Sequence, residues 1–257
     1  MERNNKLIIA FDGTHFHGWQ KQAGVRTVQD EIEKVARRVV GRPVSVMGAS
    51  RTDAGVHACG QVAHMITPDS IPVENLRRAI GHRLPQDIAL VHAEQAPFDF
   101  HASRAALSKL YRYRIHNAEQ RPVTGLGLGR AWHVWFPLDL ERMRAGAAEL
   151  VGRHDFAAFA SQGSPRATTV RTVRRIGIRA VYEQVLIDVE GDGFLYNQVR
   201  NMVGTLYEVG RGHWPPEKVR AILASRQRAN AGPTAPPHGL CLQWVRYPAP
   251  RGAADAA

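Results

Sequence analysis

The sequence predicts an α+β fold made of two similar halves, each of the ferredoxin-like or RRM-like kind with a largely antiparallel sheet. Strand-like and helix-like segments of the first half follow the order β-α-β-β-α-β. The second half can be interpreted with the same order, although the two halves share no residue-level repeat. The length of 257 residues and the hydrophobic fraction of 44% suit one large domain or two small ones.

The N-terminal half opens with a predicted strand at residues 6–12. A helix is expected at residues 27–40, because Val28, Ile32 and Val35 recur with the spacing of a buried helical face. Thr27 with Asp30 resembles a capping box at its start. The remaining elements are two strands, a helix and a strand, at residues 44–50, 60–66, 73–83 and 88–94.

The C-terminal half opens with a strand at residues 109–116, where Tyr111 and Tyr113 alternate with Arg112 and Arg114. Further strands are predicted at residues 130–136, 172–180, 184–190 and 239–247. Helices are predicted at residues 138–151, 194–210 and 216–225. We divide the chain into an N-terminal half (1–104), a C-terminal half (105–247) and a disordered tail (248–257).

The charge balance is strongly basic. Lys and Arg number 34 against 23 Asp and Glu, a formal net charge of +11, and most of the cations are arginine. Arginine suits phosphate recognition, so a nucleic-acid partner is favoured, although a compositional bias towards arginine explains the charge equally well. The two distant cysteines form no CxxC, and no HExxH occurs, so we expect neither a metal nor a cofactor. No apolar stretch has membrane-spanning length, and a cytoplasmic protein is expected.

The segment 51–58 places a carboxylate on a turn between two strand-like runs. Gly55 allows a sharp bend that leaves Asp53 exposed at a strand end. An Asx-turn is the commoner role of such an aspartate, and a reactive carboxylate is the alternative. Arg51 would lie on the same side if the strand continued, and its charge would keep Asp53 ionised, as a nucleophile or base requires.

Three other segments carry possible chemistry, each with a commoner structural explanation. Arg200 lies on a predicted amphipathic helix, where most arginines are solvated, and Gly204 one turn later permits a close approach. Tyr111 lies on the strand of alternating aromatics and cations, which suits either base stacking or a buried core. Residues 235–242 form a turn that enters the last strand.

Together, in this order and spacing, these segments resemble the TruA-type tRNA pseudouridine synthases across nearly the whole chain. The motifs that carry the resemblance are residues 11–14, 18–20, 51–58, 152–156, 194–204 and 235–242. The resemblance implies that the two halves join into one extended sheet with the catalytic cleft between them. It also implies an active homodimer in which each tRNA spans both subunits.

The resemblance implies a role for four residues. Asp53 is the catalytic aspartate, Arg200 pairs with it, and Tyr111 stacks on the target base. Leu240 forms an apolar wall of the pocket. From its position beside Asp53, Arg51 is a further candidate for substrate binding. The family converts uridine to pseudouridine at nucleotides 38, 39 and 40 of the tRNA anticodon stem-loop, without metal or cofactor.

Basic residues of the second half and its boundary are candidate RNA contacts. They are Arg104, Arg112, Arg114, Arg153 and Arg171. Ser103 stands where the family commonly has arginine, and Arg104 is the candidate substitute. Residues 196–198 (Tyr, Asn, Gln) replace the family's common histidines and methionine. Two alternatives are a non-catalytic RNA-binding protein on the same scaffold and a metal-dependent nuclease using Asp12, Asp53 and histidines.

Overall fold

A computed structural model describes residues 1–123, 129–161, 163 and 167–249. The chain forms two compact units: unit 1 contains Met1–Lys109 and the chain from Gln243 onward, and unit 2 contains Leu110–Leu242. Unit 1 thus takes in residues 105–109 and 243–247, which the sequence-based division assigned to the C-terminal half. The predicted disordered tail falls at residues 248–257, of which 250–257 lie outside the described residues.

Unit 1 has the predicted β-α-β-β-α-β order. Its elements are β1 (Glu2–Phe11), α1 (Val28–Val40), β2 (Val46–Gly48), β3 (His57–Pro68), α2 (Val73–Gly81) and β4 (Ile88–Ala96). β1 lies between β4 and β3 with antiparallel pairing on both sides, and β2 pairs antiparallel with β3. Leu7, Ile9 and Phe11 alternate along β1 and are buried, as expected of a central strand with one core-facing side.

Helix α1 buries the predicted stripe, with Val28, Ile32 and Val35 in the core. The capping box is wrong, however. Thr27 occupies the N-cap position but makes no side-chain cap hydrogen bond. The Asp30 carboxylate instead pairs with the ammonium groups of Lys21 at 2.9 Å and Lys34 at 2.7 Å, so these cations draw it away from the helix start.

Unit 2 repeats the α+β arrangement with additions. Its strands are β5 (Ser108–Asn117), β6 (Trp132–Val134), β7 (Gly152–Asp155), β8 (Val170–Val181), β9 (Gln184–Gly191) and β10 (Leu240–Arg246). Its helices are α3 (Leu140–Ala148), α4 (Gln198–Gly210) and α5 (Lys218–Ser225). β5 and β10 each have residues in both units. The strands follow the order β10-β5-β9-β8-β7, and β6 pairs in parallel with β5. The predicted α+β class with largely antiparallel pairing is therefore confirmed.

Helix α4 is shorter than the sequence predicts. It begins at Gln198 rather than at residue 194, because Asn197 before it adopts a left-handed conformation with φ of +59°. Val199, Met202 and Val203 face the core, as the apolar spacing predicts. At Gly204 the helix touches another segment of the chain, since a Cβ there would lie 1.7 Å from the Pro233 carbonyl oxygen.

None of the helices within the described residues combines the length and the apolar character needed to cross a membrane.

Candidate active site

Asp53 lies in unit 1 on an irregular segment between the end of β2 and the start of β3. The Val56 N–H donates to the Asp53 carbonyl oxygen at 3.1 Å, which closes a four-residue turn. Gly55 adopts a φ of +77°, as the sharp predicted bend requires. Asp53 is half-buried, whereas Thr52 and Val56 of the same segment are buried. The turn that carries Asp53 is therefore well anchored.

The segment that follows β1 supports this turn through three hydrogen bonds. The Trp19 N–H donates to the Thr52 carbonyl oxygen at 3.1 Å, and the Gly55 N–H donates to the Phe16 carbonyl oxygen at 3.2 Å. The Gly13 N–H donates to His57 Nδ1 at 3.0 Å, at the start of β3. Residues 13–19 thus fix the Asp53 turn before, within and after its bend.

Two glycines make this contact possible. A Cβ on Gly13 would lie 2.1 Å from the Val56 carbonyl oxygen. A Cβ on Gly18 would lie 2.4 Å from the Thr52 carbonyl oxygen, and Gly18 also has a φ of +87°. Real side chains do not tolerate such separations from backbone atoms, so only glycine fits at either position. The sequence motif around residues 11–20 therefore has a direct structural purpose, which is to form the base of the Asp53 turn.

A stacked ion pair holds the same supporting segment. The Arg26 guanidinium lies 4.1 Å from the centre of the Phe16 ring. It donates two hydrogen bonds to the Asp87 carboxylate, at 2.6 and 2.9 Å. The Phe16 carbonyl accepts a hydrogen bond from the Gly55 N–H. The Arg26–Asp87 ion pair therefore helps to fix the turn through its contact with Phe16. Arg26 and Asp87 are 61 residues apart, so no local sequence pattern connects them.

Arg51 is exposed and lies outside any strand. The expectation that Arg51 and Asp53 share the face of a continuing strand does not apply, because β2 ends at Gly48.

Arg200 lies in the first turn of α4 in unit 2, and hydrogen bonds within unit 2 hold its guanidinium. Nε donates to the Ala235 carbonyl oxygen at 2.8 Å, and Nη1 donates to Asn197 Oδ1 at 2.8 Å. The Ala235 N–H in turn donates to the Arg200 carbonyl oxygen at 3.2 Å. The cation is therefore oriented by its own hydrogen bonds. Asn197, noted in the sequence only as a departure from the family pattern, is one of its partners.

The segment before β10 packs closely around Arg200 and Tyr113. Tyr113 donates its hydroxyl to the Pro236 carbonyl oxygen at 2.7 Å, and a Cβ on Gly239 would lie 2.6 Å from its ring. Burial raises the pKa of Tyr113, and the charge of Arg200 opposes that rise. Burial lowers the pKa of His238, and Arg200 lowers it further, which favours a neutral imidazole. Leu240 follows this segment and is buried at the start of β10.

Tyr111 is buried on β5, and its ring meets Phe194 edge-on, with 5.4 Å between the ring centres. The pair forms an edge-on aromatic contact in unit 2 ahead of helix α4.

The candidate RNA contact Arg112 is engaged within the fold. Its Nε and Nη2 donate to the two oxygens of Asp188 at 2.6 and 2.8 Å, and Arg179 adds a bond at 2.9 Å. Burial acts to raise the pKa of Asp188, but the hydrogen bonds from these arginines hold it below its ordinary value. Arg112 therefore has a structural partner inside unit 2.

The other candidate RNA contacts differ in their surroundings. Arg104 and Arg153 are exposed and Arg114 is half-buried, and none of the three forms an ion pair with another residue that the structure describes. Arg171 donates from Nη1 to the carbonyl oxygens of Thr168 and Val170, at 3.1 and 2.6 Å. Three of the five arginines thus carry charge that no neighbouring carboxylate in the described chain neutralises.

Across the described ranges, the structure contains no cluster of three His, Cys, Asp or Glu side chains that could hold a metal ion.

Comparison with known proteins places both units in one family. A sequence model of the tRNA pseudouridine synthases matches residues 7–103 and 147–248. A protein named tRNA pseudouridine synthase A from Syntrophotalea carbinolica is 48% identical over 94% of this chain and 95% of its own length. A protein of the same name from Acetivibrio thermocellus is 46% identical over 95% of this chain and 100% of its own length.

Among solved structures, a chain of the archaeal box H/ACA sRNP Nop10-Cbf5 complex aligns with a TM-score of 0.35 and 11% identity. The alignment covers 79% of this chain and 44% of that one, and a likeness so weak supports no argument. The sequence matches are much stronger than this structural likeness. They extend over nearly the full length of the curated relatives and include the Asp53 turn. The chain belongs to the tRNA pseudouridine synthase family.

Proposed function

We propose that this protein isomerises uridine to pseudouridine at nucleotides 38, 39 and 40 of the tRNA anticodon stem-loop, with Asp53 as the reacting carboxylate. The family match and the names of the curated relatives support tRNA as the substrate. The resemblance of the motifs supports the anticodon stem-loop as the target. It also supports action as a cytoplasmic homodimer.

One observation carries the proposal for Asp53. The turn that presents it is tied by hydrogen bonds to residues 13–19 and rests on two positions that admit only glycine. A carboxylate that reacts must be held close to its productive position, and a rigid support is the usual means. An aspartate that merely capped a surface turn would not need such a rigid supporting segment.

The reaction rearranges one nucleotide without gain or loss of atoms. The bond from C1′ to N1 breaks, the uracil turns, and a bond forms from C1′ to C5. The C5 proton is released and N1 takes up a proton, so the net change is an isomerisation. An ionised Asp53 can take part in this reaction in three ways. It can attack the sugar, it can attack the uracil, or it can remove a proton from the sugar.

The other proposed site residues have roles that follow from this chemistry. Arg200 stabilises the charged form of Asp53, because a nearby cation lowers the pKa of a carboxylate. Tyr111 and Leu240 provide apolar faces that hold the detached uracil and exclude water. Arg51 adds positive charge beside the turn. None of these roles requires a metal or a cofactor.

The target nucleotide must leave the base stack before it can react, which costs a few kcal/mol. We assign backbone contacts that offset this cost to the basic residues of the chain. Arg104, Arg114 and Arg153 are the strongest candidates, since no described carboxylate neutralises them. Arg171 remains a candidate, and Arg112 would need to act while paired with Asp188.

The test compares Asp53→Asn with the wild-type protein on a tRNA that contains uridine at the three positions. We expect pseudouridine formation to fall by about 100-fold or more, because the amide is neither a nucleophile nor a base. Binding of tRNA should change little. The control is Asp69→Asn, which removes a half-exposed carboxylate of the same unit. Among the residues that the structure describes, it pairs with the N-terminus at 3.5 Å.

Full activity of Asp53→Asn would contradict the proposed role. Tight tRNA binding by the wild-type protein without any pseudouridine would favour the alternative of a non-catalytic RNA-binding protein. Cleavage of tRNA that a chelator abolishes would favour the nuclease.

A further inference from the structure

The point at which the Asp53 segment leaves the sheet has an unusual pairing. β2 pairs with β3 in a register that joins Val46 to Met65 and Gly48 to Ala63. The next residue, Ala49, still donates its N–H to the Val62 carbonyl oxygen at 2.7 Å. If the ladder continued, Ser50 would lie opposite Gln61. The strand ends here instead, and the backbone turns away toward Asp53.

The Gln61 side chain makes hydrogen bonds to the Ser50 backbone in place of the strand pairing that ends here. Its Nε2 donates to the Ser50 carbonyl oxygen at 2.6 Å, and its Oε1 accepts from the Ser50 N–H at 3.3 Å. A primary amide that contacts both the C=O and the N–H of one residue imitates a neighbouring strand. Gln61 is fully buried, with 0% of its surface exposed, so its amide is shielded from water.

Lys109 holds the preceding residue. Its ammonium donates to the Ala49 carbonyl oxygen at 2.6 Å and to Ser50 Oγ at 3.4 Å. Lys109 is only 8% exposed, which is rare for a lysine. A buried cation is costly unless its donors are satisfied, so the lysine and the carbonyl hold each other in place.

We propose that Gln61 and Lys109 form a buried clamp that positions the Asp53 turn, and that both are positioning residues for the reaction. The clamp satisfies Ala49 C=O, Ser50 N–H and Ser50 C=O where the sheet ladder stops. The chain can therefore leave the sheet without becoming loose, three residues before Asp53. Residues 13–19 fix the turn from one side, and the clamp fixes its point of departure.

The test uses full-length protein and two methionine substitutions, Gln61→Met and Lys109→Met, which keep an unbranched side chain but remove the donors. We expect the single-turnover rate at saturating tRNA to fall by about 10- to 100-fold, the effect of a small misplacement at a reacting group. The Kd for tRNA should stay within about twofold, because neither residue is assigned a contact with RNA. Lys109→Arg keeps a charged donor and should restore part of the rate.

Matched controls come from the same unit. Asn5→Leu removes a fully buried amide that bonds to Thr67 Oγ1 at 2.9 Å, far along β3 from the Asp53 turn. Lys6→Met removes a partly buried lysine that pairs with Glu94 at 2.8 Å. Both controls should lower Tm while the rate at saturating tRNA stays near that of the wild type. Equal loss of rate in the controls and the clamp variants would overturn the proposal.

Amide hydrogen exchange tests the clamp independently of activity. In the wild-type protein the Ser50 amide should exchange as slowly as the amides of β3, and in the clamp variants residues 50–56 should exchange faster than the rest of unit 1. A wild-type Ser50 amide that exchanges like an exposed loop would overturn the clamp even if the variants fail to fold. The rate test rests on the proposed function, whereas the exchange test does not, so the two failures can be told apart.

Discussion

The two segments that carry the proposed catalytic pair are fixed in different ways. In unit 1 the backbone around Asp53 is held, through hydrogen bonds to residues 13–19 and through two glycines that admit close contact. In unit 2 the side chain of Arg200 is held, by Asn197 and by the Ala235 carbonyl. A short side chain has few torsions, so placing its backbone places its carboxylate. A long side chain needs partners along its length.

This difference predicts that backbone changes should damage the first segment and side-chain changes the second. The largest effect is expected for Gly18→Ala. The new Cβ would meet the Thr52 carbonyl at 2.4 Å in a left-handed conformation, so the turn must shift. We expect pseudouridine formation to fall by about 100-fold. The free energy of unfolding should fall by about 2–4 kcal/mol.

The control for Gly18→Ala is Gly24→Ala. Gly24 has a similar φ of +76°, but nothing lies within 4 Å of its Cβ position. The free energy of unfolding of Gly24→Ala should fall by only about 1–2 kcal/mol, the cost of a left-handed conformation for alanine, and the activity should be unchanged. If both variants lost activity alike, close contact with the Asp53 turn would not explain the effect.

An intermediate effect is expected for Asn197→Gly. Glycine adopts the left-handed conformation without strain, so the change keeps the backbone conformation. It removes the Oδ1 acceptor of Arg200 and also the Nδ2 donor to Ser161 Oγ. We expect kcat to fall by about 10-fold, through the loss of one oriented hydrogen bond to the cation. The control is Tyr182→Gly, at another left-handed position that is fully exposed. An unchanged kcat in Asn197→Gly would show that the hydrogen bond from Asn197 is not needed to orient Arg200.

The smallest effects on activity are expected for two arginines of β5, Arg112 and Arg114, and the two should differ in the property that they change. Arg112→Gln removes a partner of buried Asp188 and should lower the free energy of unfolding at pH 7 by about 1–3 kcal/mol. The pKa of Asp188 is lowered in the fold, so its pairing stabilises the protein above the unfolded pKa and is lost as pH falls through the folded one. The difference between Arg112→Gln and wild type should therefore shrink below about pH 4.

Arg114→Gln is the counterpart on the same strand. We expect stability within about 0.5 kcal/mol of wild type. We also expect weaker tRNA binding with a salt slope reduced by about 1, because one phosphate contact is lost. A salt titration of tRNA affinity for both variants checks this. A reduced slope in Arg112→Gln alone would reverse the assignment.

Local sequence patterns predict the order and type of most elements, and long-range partners explain where they fail. The apolar stripe of α1 and the strand alternation of β5 depend on neighbours a few residues away, and both are confirmed. The capping box at Thr27 failed because Lys21 and Lys34 attract Asp30. Helix α4 starts late because a left-handed residue precedes it, and asparagine permits that conformation without requiring it.

The same limit applies to the candidate site. The motif around Asp53 can be recognised from the sequence, but the reason for Gly13 and Gly18 becomes visible only when the chain folds back on the turn. Arg112 has the spacing of an RNA contact, yet its partner Asp188 is 76 residues away. Lys109 appears in the sequence as one more cation beside aromatics. Its contact with Ala49 spans 60 residues, which no local periodicity can indicate.

The return of the chain to unit 1 at Gln243 has a consequence for folding. Unit 2 is in effect an insertion, since the residues on either side of it, up to Lys109 and from Gln243, belong together. Gln243 lies against Gly60 of β3, and Tyr247 donates its hydroxyl to the Ala102 carbonyl oxygen at 2.6 Å. Folding of unit 1 therefore requires the closure of a loop as long as unit 2, which costs chain entropy. The pairing of β5 with β10 closes this loop, so the cost has been met once these two strands have paired. Destabilising unit 2 should thus delay the completion of unit 1, and no single cut of the chain yields both units intact.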